Sequence, residues 1–327
     1  MERQDWERLA RPVVAGIVVL VTLLLVVGLA IRSPQPHDVA VGVSGPAGAL
    51  DPLIAGFGQN APGAFAFTKY ATADEARAAI DDRAVVAALI IEPSGPRLVV
   101  AGGAGEAVVG GVTAALSAAF KAQGTELAIE TVHPFPAGDA HGIILFFLVL
   151  ATLIASVAAG ALSSLGLPGR SWVAVAGVLA TFAVAAGVVG VLTAAWLADG
   201  YGDGTLALIG VATLLAFAAS AVVAACARWA GAPGVGLAAL VIVLLGIVSA
   251  GGPLGSSFLP DAYRAIAPWL PVAPAYSAMR GALAFGGVGV VEPALVLSAW
   301  ALAGLIALAA RDATLGRFQA RANPVPA

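Results

Sequence analysis

The chain has 327 residues, of which 60% are hydrophobic and only 11% charged, with a mean hydropathy of +0.96. Soluble domains carry about 25% charged residues, so the shortfall, together with apolar runs of ~20 residues, marks an integral membrane protein. The net charge of −3 argues against nucleic acid as a partner, and the single cysteine, Cys226, excludes an intrachain disulfide.

The first apolar run, Val13–Ile31, would be about 28 Å long as a helix, enough to cross a bilayer. It is longer than the apolar part of a cleaved signal peptide, and no small-x-small cleavage site follows it, so a retained anchor is expected. The next apolar run begins only at Gly142.

Residues 33–141 carry the pattern of an α/β domain. DVAVGVSG (38–45) and AFAFTKYA (64–71) alternate as strands do, and VVAALIIEP (85–93) is apolar throughout, as a strand buried on both faces would be. PRLVVAGG (96–103) pairs with it across a Ser-Gly-Pro turn, and TELAIETVHP (125–134) is the last strand. Helices are predicted at 50–58, at 72–82 behind a Thr72 N-cap, and at 107–124 up to Gly124. The order β-α-β-α-β-β-α-β predicts a small sheet with helices on one face.

Crossings are predicted near Gly142–Leu165, Trp172–Leu197, Thr205–Ala227, Pro233–Ala250 and Val290–Ala310, six with the first. Arg3, Arg8, Arg11, Arg170, Arg228, Arg311, Arg317 and Arg321 fall on one side when both termini are cytoplasmic, whereas the turn Asp199–Gly204 is acidic. Residues 33–141 and 251–289 then face outward.

No P-loop is present: neither lysine, Lys69 or Lys121, follows a glycine. His37, His133 and His141 show no metal-ligand spacing, no catalytic set is visible, and neither a cofactor nor an enzymatic activity is expected. No predicted crossing carries an ionisable group near its middle, which disfavours a proton-coupled transporter. Ser156, Gly160 and Ser164 recur at four-residue spacing, as do Gly177, Thr181 and Ala185. Such rows let helix backbones approach closely, within one chain or across a dimer.

The stretch 251–289 is too long for a turn. Its prolines divide it into pieces too short to cross, so two short interfacial or re-entrant helices are expected, starting at Pro260–Asp261 and within 272–287. Trp269 and Tyr276 suit a membrane–water interface, and Arg264 and Arg280 are expected to snorkel to headgroups.

Three blocks resemble the type 2 ABC-exporter permeases, in particular the six-span group related to the phage infection protein. The first is TADEARAAIDDRAVVAALIIEP (72–93). The second is the entry to the second crossing, with Pro136, Asp139 and Gly142. The third is the outward stretch, with Pro253, Leu259–Pro260, Arg264, Trp269, Pro271, Arg280 and Phe285–Gly286. The resemblance implies an α-helical polytopic protein of the bacterial plasma membrane, with an extracytoplasmic α/β domain between crossings one and two. It also implies a dimeric permease subunit that moves an apolar or amphipathic substrate with a separate ATPase. The loops 165–171 and 227–233 are short for docking an ATPase. They favour instead a receptor or scaffold that acts through the outer domain.

Overall fold

The computed structural model describes residues 3–32, 34–166 and 169–322. The side chains of residues 3–12 and 315–322, of Ala15 and of Pro253 lie outside that description. Among them are Arg3, Arg8, Arg11, Arg317 and Arg321, used above to orient the chain.

Helix α1 (Arg3–Ile31) leads into a five-stranded sheet. The order along the chain is β1 (Val39–Ser44), α2 (Ala47–Asn60), β2 (Phe65–Lys69), α3 (Ala73–Asp81), β3 (Ala87–Glu92), β4 (Gly95–Ala101), α4 (Glu106–Ala122) and β5 (Ala128–Val132). In space the strands run β2-β1-β3-β4-β5, and only the β3–β4 pair is antiparallel. That pair is joined by a tight turn, and the parallel pairs need the crossover helices.

Helices cover both faces of this sheet rather than the one face expected. Val41, Val43, Leu89, Leu98 and Val100 pack beneath α2 and α4. Ala88, Ile90 and Val99 pack on the other face against Ala76 and Ile80 of α3. The cause lies in the unbroken apolar runs of β3 and β4, which have no polar face to leave in water. Thr72 caps α3 as expected, its Oγ1 accepting from the Glu75 N–H at 3.1 Å, and Glu75 reaches back to the Ala71 N–H at 3.0 Å.

Glu130 on β5 accepts a two-pronged bond from Arg77 (2.7 and 2.7 Å) and a third from Arg97 (3.1 Å). Hydrogen bonding to these guanidinium groups, Arg77 foremost, holds its carboxyl down at about 2. A depressed carboxyl stabilises the fold above its unfolded value of about 4.3 and loses that contribution as pH falls toward 2. The sheet is therefore expected to lose stability between about pH 4 and pH 2, and Glu130→Gln is expected to flatten that part of a melting-temperature-against-pH curve. The group is largely solvated, so the effect is small.

The rest of the chain is a helix bundle: α5 (Ile143–Leu165), α6 (Trp172–Leu197), α7 (Thr205–Ala239), a π-helical segment (Leu240–Leu245), α8 (Gly246–Ser249), the short α9 (Asp261–Ile266) and α10 (Val272–Ala284), and α11 (Val291–Ala322). Among the described residues four helices are long and apolar enough to cross a membrane: Ile143–Leu165, Trp172–Leu197, Gly202–Ser249 and Val291–Thr314. Gly16–Ile31 is a shorter apolar helix.

The third of these spans 48 residues, about 72 Å if straight and more than twice the hydrocarbon thickness. It is not straight. Gly231 has φ 63° and ψ −144°, and a Cβ on Gly234 would overlap the Cys226 carbonyl. Eight residues of straight helix would hold those two positions about 12 Å apart, so the chain doubles back at Gly231, just before Pro233. The expected segments Thr205–Ala227 and Pro233–Ala250 are the two arms of this element.

α5, α6 and α11 all pack on α7. Ser156 is fully buried, and the Ser164 hydroxyl donates to the Ala224 carbonyl at 2.9 Å. A Cβ on Gly160 would lie 2.5 Å from the Ser220 carbonyl oxygen. The first small-residue row is thus the α5–α7 seam. Gly177 has nothing within 4 Å of where its Cβ would be and faces away from the chain. On α6 it is Gly187, against Thr213, that lets α7 approach.

Candidate functional site

The sheet and the bundle meet at α9 and α10, the aromatic and proline-rich stretch. Pro260 and Pro271 stand immediately before the two helices, where their missing N–H costs nothing. Positive-φ glycines at 286, 287 and 289 end the segment. α10 does not lie on the surface as expected. Val272, Ala275, Tyr276, Ala278 and Met279 are buried, because the helix is apolar or small on nearly every face and is enclosed between bundle and sheet. Trp269 fits the interface reading better: its side chain is exposed, and its carbonyl accepts from Trp300 Nε1 at 2.8 Å.

Neither arginine snorkels. Arg264 is held between two carboxylates, Asp38 at 3.0 Å and Asp261 at 3.1 Å, so it ties the start of β1 to α9. Arg280 points inward. Its Nη1 donates to the Ala104 carbonyl at 2.5 Å, and its guanidinium lies 5.0 Å from the Tyr276 ring centre. Protein surrounds it, and what exposure it has is to a cavity that it lines. Its Nε has no hydrogen-bond acceptor among the described residues.

Beside it stands Arg83, in the turn after α3, at φ 60°. Its Nη1 donates to the carbonyls of Ser277 (3.2 Å) and Val288 (3.1 Å), and its Nη2 to the Ser277 hydroxyl (3.1 Å). Its guanidinium lies over the Phe285 ring at 5.1 Å, and Phe285 itself sits in the core under α3. Burial first, and the Arg280 charge second, pull the Arg83 guanidinium down to about 10, and burial lowers Arg280 as well. Among the described residues neither forms an ion pair with a carboxylate. The Asp-Asp-Arg turn at 81–83 gave no hint that its arginine would face inward.

Two cavities meet here. A small one of about 140 Å³ is lined by Arg83, Arg280, Gly255, Ser256, Ser257 and Phe285 among others. A larger one of about 440 Å³ shares Gly255–Ser257 and Arg280 and extends past Arg264, Asp38, His37 and Glu292. On the other side of α8 an apolar groove of about 830 Å³ runs between α1, α5 and the π-helical segment, lined by Val18, Leu23, Ile154, Val157, Leu240 and Val243 among others. It ends at Val248, two residues before Ala250 of the larger cavity.

The remaining motif residues have local roles. Asp139 is buried and accepts from the Ile144 and Leu145 N–H groups at 2.9 and 3.0 Å, so both its oxygens serve the first turn of α5. Gly142 stands at φ 67°, and a Cβ there would lie 2.8 Å from the Phe135 ring. Pro253 belongs to a 3-10 turn, Gly252–Leu254, and its side chain is outside the described residues. Asp139→Ala is expected to cost about 1–2 kcal/mol as a lost N-cap. Asp139→Asn should keep part of this through its one remaining acceptor, as read from melting temperatures in detergent.

Among the described residues no three His, Cys, Asp or Glu side chains gather closely enough to hold a metal ion. Compared with known proteins, the chain matches no family model, no curated protein and no solved structure.

Proposed function

We propose that this chain is a permease-like membrane subunit, without an ATPase of its own, that helps to export an apolar or amphipathic substrate. The reading has six crossings: α1, α5, α6, the two arms of the element broken at Gly231, and α11. The sheet lies outside and both termini are cytoplasmic. One observation carries it: the apolar groove between α1, α5 and the π-helical segment reaches Val248, two residues before Ala250 of the polar cavity at the sheet. An amphiphile leaving the bilayer needs such a pair of surfaces, one for its chain and one for its headgroup. The groove is walled by a π-helical segment, a distortion that recurs at functional sites.

The test is reconstitution. The protein purified from its own membrane is expected to bring an ATPase with it, and substrate is expected to stimulate ATP hydrolysis. Val243→Trp, which fills the groove, should abolish the stimulation and leave assembly intact. Absence of any ATPase, together with a silent Val243→Trp, would sink the proposal.

One observation favours the receptor or scaffold alternative. The α5–α6 connection and the reversal at Gly231 are too short to hold a docking helix. Under that reading a photo-crosslinker at exposed Thr68 on edge strand β2 captures a partner, while Val243→Trp has no effect.

A further inference from the structure

We propose that the small cavity between Arg83 and Arg280 is an oxyanion site that takes a phosphate group, either free or on the headgroup of an amphipathic ligand. The inference extends the reading above by naming what the outer cavity holds. It does not require transport.

Electrostatics is the first ground. Two cations, Arg280 enclosed and Arg83 half-buried, line one cavity with no carboxylate bound to either among the described residues. Like charges withdrawn from water oppose each other and raise the free energy of the fold unless a counter-charge joins them. The nearby acids do not fill that role. Asp38 is engaged by Arg264, and Glu292 lines only the larger cavity. The ring faces of Tyr276 and Phe285 offset part of each charge but accept no N–H bond along the guanidinium edge.

Unused donors are the second ground. Arg280 Nε is buried without an acceptor, and no group of the described chain accepts from its Nη2. Nε is closed off from the cavity, so Nη2 is the guanidinium nitrogen left to a ligand, and a charged N–H bond to phosphate is among the stronger hydrogen bonds. Ser256 and Ser257 line the same cavity. Candidate donors therefore come from two separate elements, α10 and the turn Ser256–Phe258.

Size is the third. A volume of about 140 Å³ corresponds to about four or five waters at their share of the liquid, which suits a tetrahedral oxyanion. The cavity opens past Arg280 and Gly255–Ser257 into the larger one, so the rest of a headgroup has a place to lie. Phosphate is favoured over a carboxylate because donors approach from more than one plane.

The purified full chain is placed in neutral detergent without phosphate, and its melting temperature is followed as inorganic phosphate is added against matched chloride. A parallel series uses micelles of the same neutral, phosphate-free detergent with and without phosphatidylglycerol, and native mass spectrometry reads retained phospholipid. A ligand that binds only the folded state raises the melting point saturably. A rise with inorganic phosphate identifies the free anion. A rise with phosphatidylglycerol and retained phospholipid, but not with phosphate, identifies a headgroup. In either case Arg280→Gln should weaken the response about tenfold or more. Without ligand it should melt no lower than the parent, because one of two opposing cations is gone. A purely structural arginine would show the reverse. If Arg280→Gln does not fold, Ser256→Ala with Ser257→Ala is measured in the same way. The proposal is overturned if neither phosphate nor phosphatidylglycerol stabilises the protein beyond the chloride control, or if the variants respond as the parent does. That result would leave the groove and its ATPase test untouched, and a failed ATPase test would leave this site standing.

Discussion

Asp312→Ala is expected to destabilise the bundle by about 3–5 kcal/mol, the cost of leaving a buried cation without its partner. At the end of the bundle away from the sheet, Arg228 Nη1 donates to Asp312 Oδ1 at 2.5 Å and Nη2 donates to the Arg170 carbonyl at 2.7 Å. The other Asp312 oxygen accepts from the Trp172 N–H at 2.5 Å, which caps α6. One carboxylate thus joins α6, α7 and α11. The pair is only 10% and 23% exposed, so solvent screening leaves most of its strength intact. Two controls separate charge from cap. Asp312→Asn keeps an acceptor for Trp172 and should lose less. Arg228→Met combined with Asp312→Leu removes both charges and should recover most of the loss, since an apolar pair replaces a buried ion pair at little cost. Thermal unfolding in detergent measures all three. A double variant no more stable than Asp312→Ala would refute the charge argument.

Gly160→Leu is expected to prevent correct assembly of the bundle, with a loss of about 3 kcal/mol or more at the upper end for overpacking. A Cβ there meets the Ser220 carbonyl oxygen at 2.5 Å and the Val223 Cβ at 2.8 Å, and backbone cannot step aside as a flexible side chain can. Gly187→Leu should fail similarly against Thr213 on the other side of α7. Gly177→Leu is the internal control. Nothing of the same chain lies near it, and it should extract and melt as the parent does. Should Gly177→Leu instead convert an oligomer to a monomer by light scattering, the outward row would be a dimer seam.

Much of the α/β layer was legible in the chain. β1, β3 and β4 lie where apolar and alternating runs place them, and α3 begins at its Thr72 cap, because strand and cap signals are local. The helices on both faces were not legible. An apolar run shows that a strand is buried but not which neighbour buries it. At the junction the sequence located the stretch 258–287 and its two short helices. It misjudged Arg264, Arg280 and Tyr276, because aromatic and cationic residues near a membrane have the same local pattern whether they meet headgroups or another domain. Arg83 and Asp312 drew no attention, since their partners lie 194 and 84 positions away along the chain.

Composition and hydropathy by themselves determined that this is a protein of apolar helices interrupted by a polar-mixed α/β segment, and they marked the approximate place of most elements. Those properties follow from near-neighbour physics: hydrophobic period, capping, and the φ freedom of glycine. Only the tertiary structure decided that the glycines facing α7 are 160 and 187 rather than 177, and that Arg83 and Arg280 share a cavity. Each of these depends on which distant surfaces are pressed together. Burial turns an ordinary surface arginine into a charge that must find a partner.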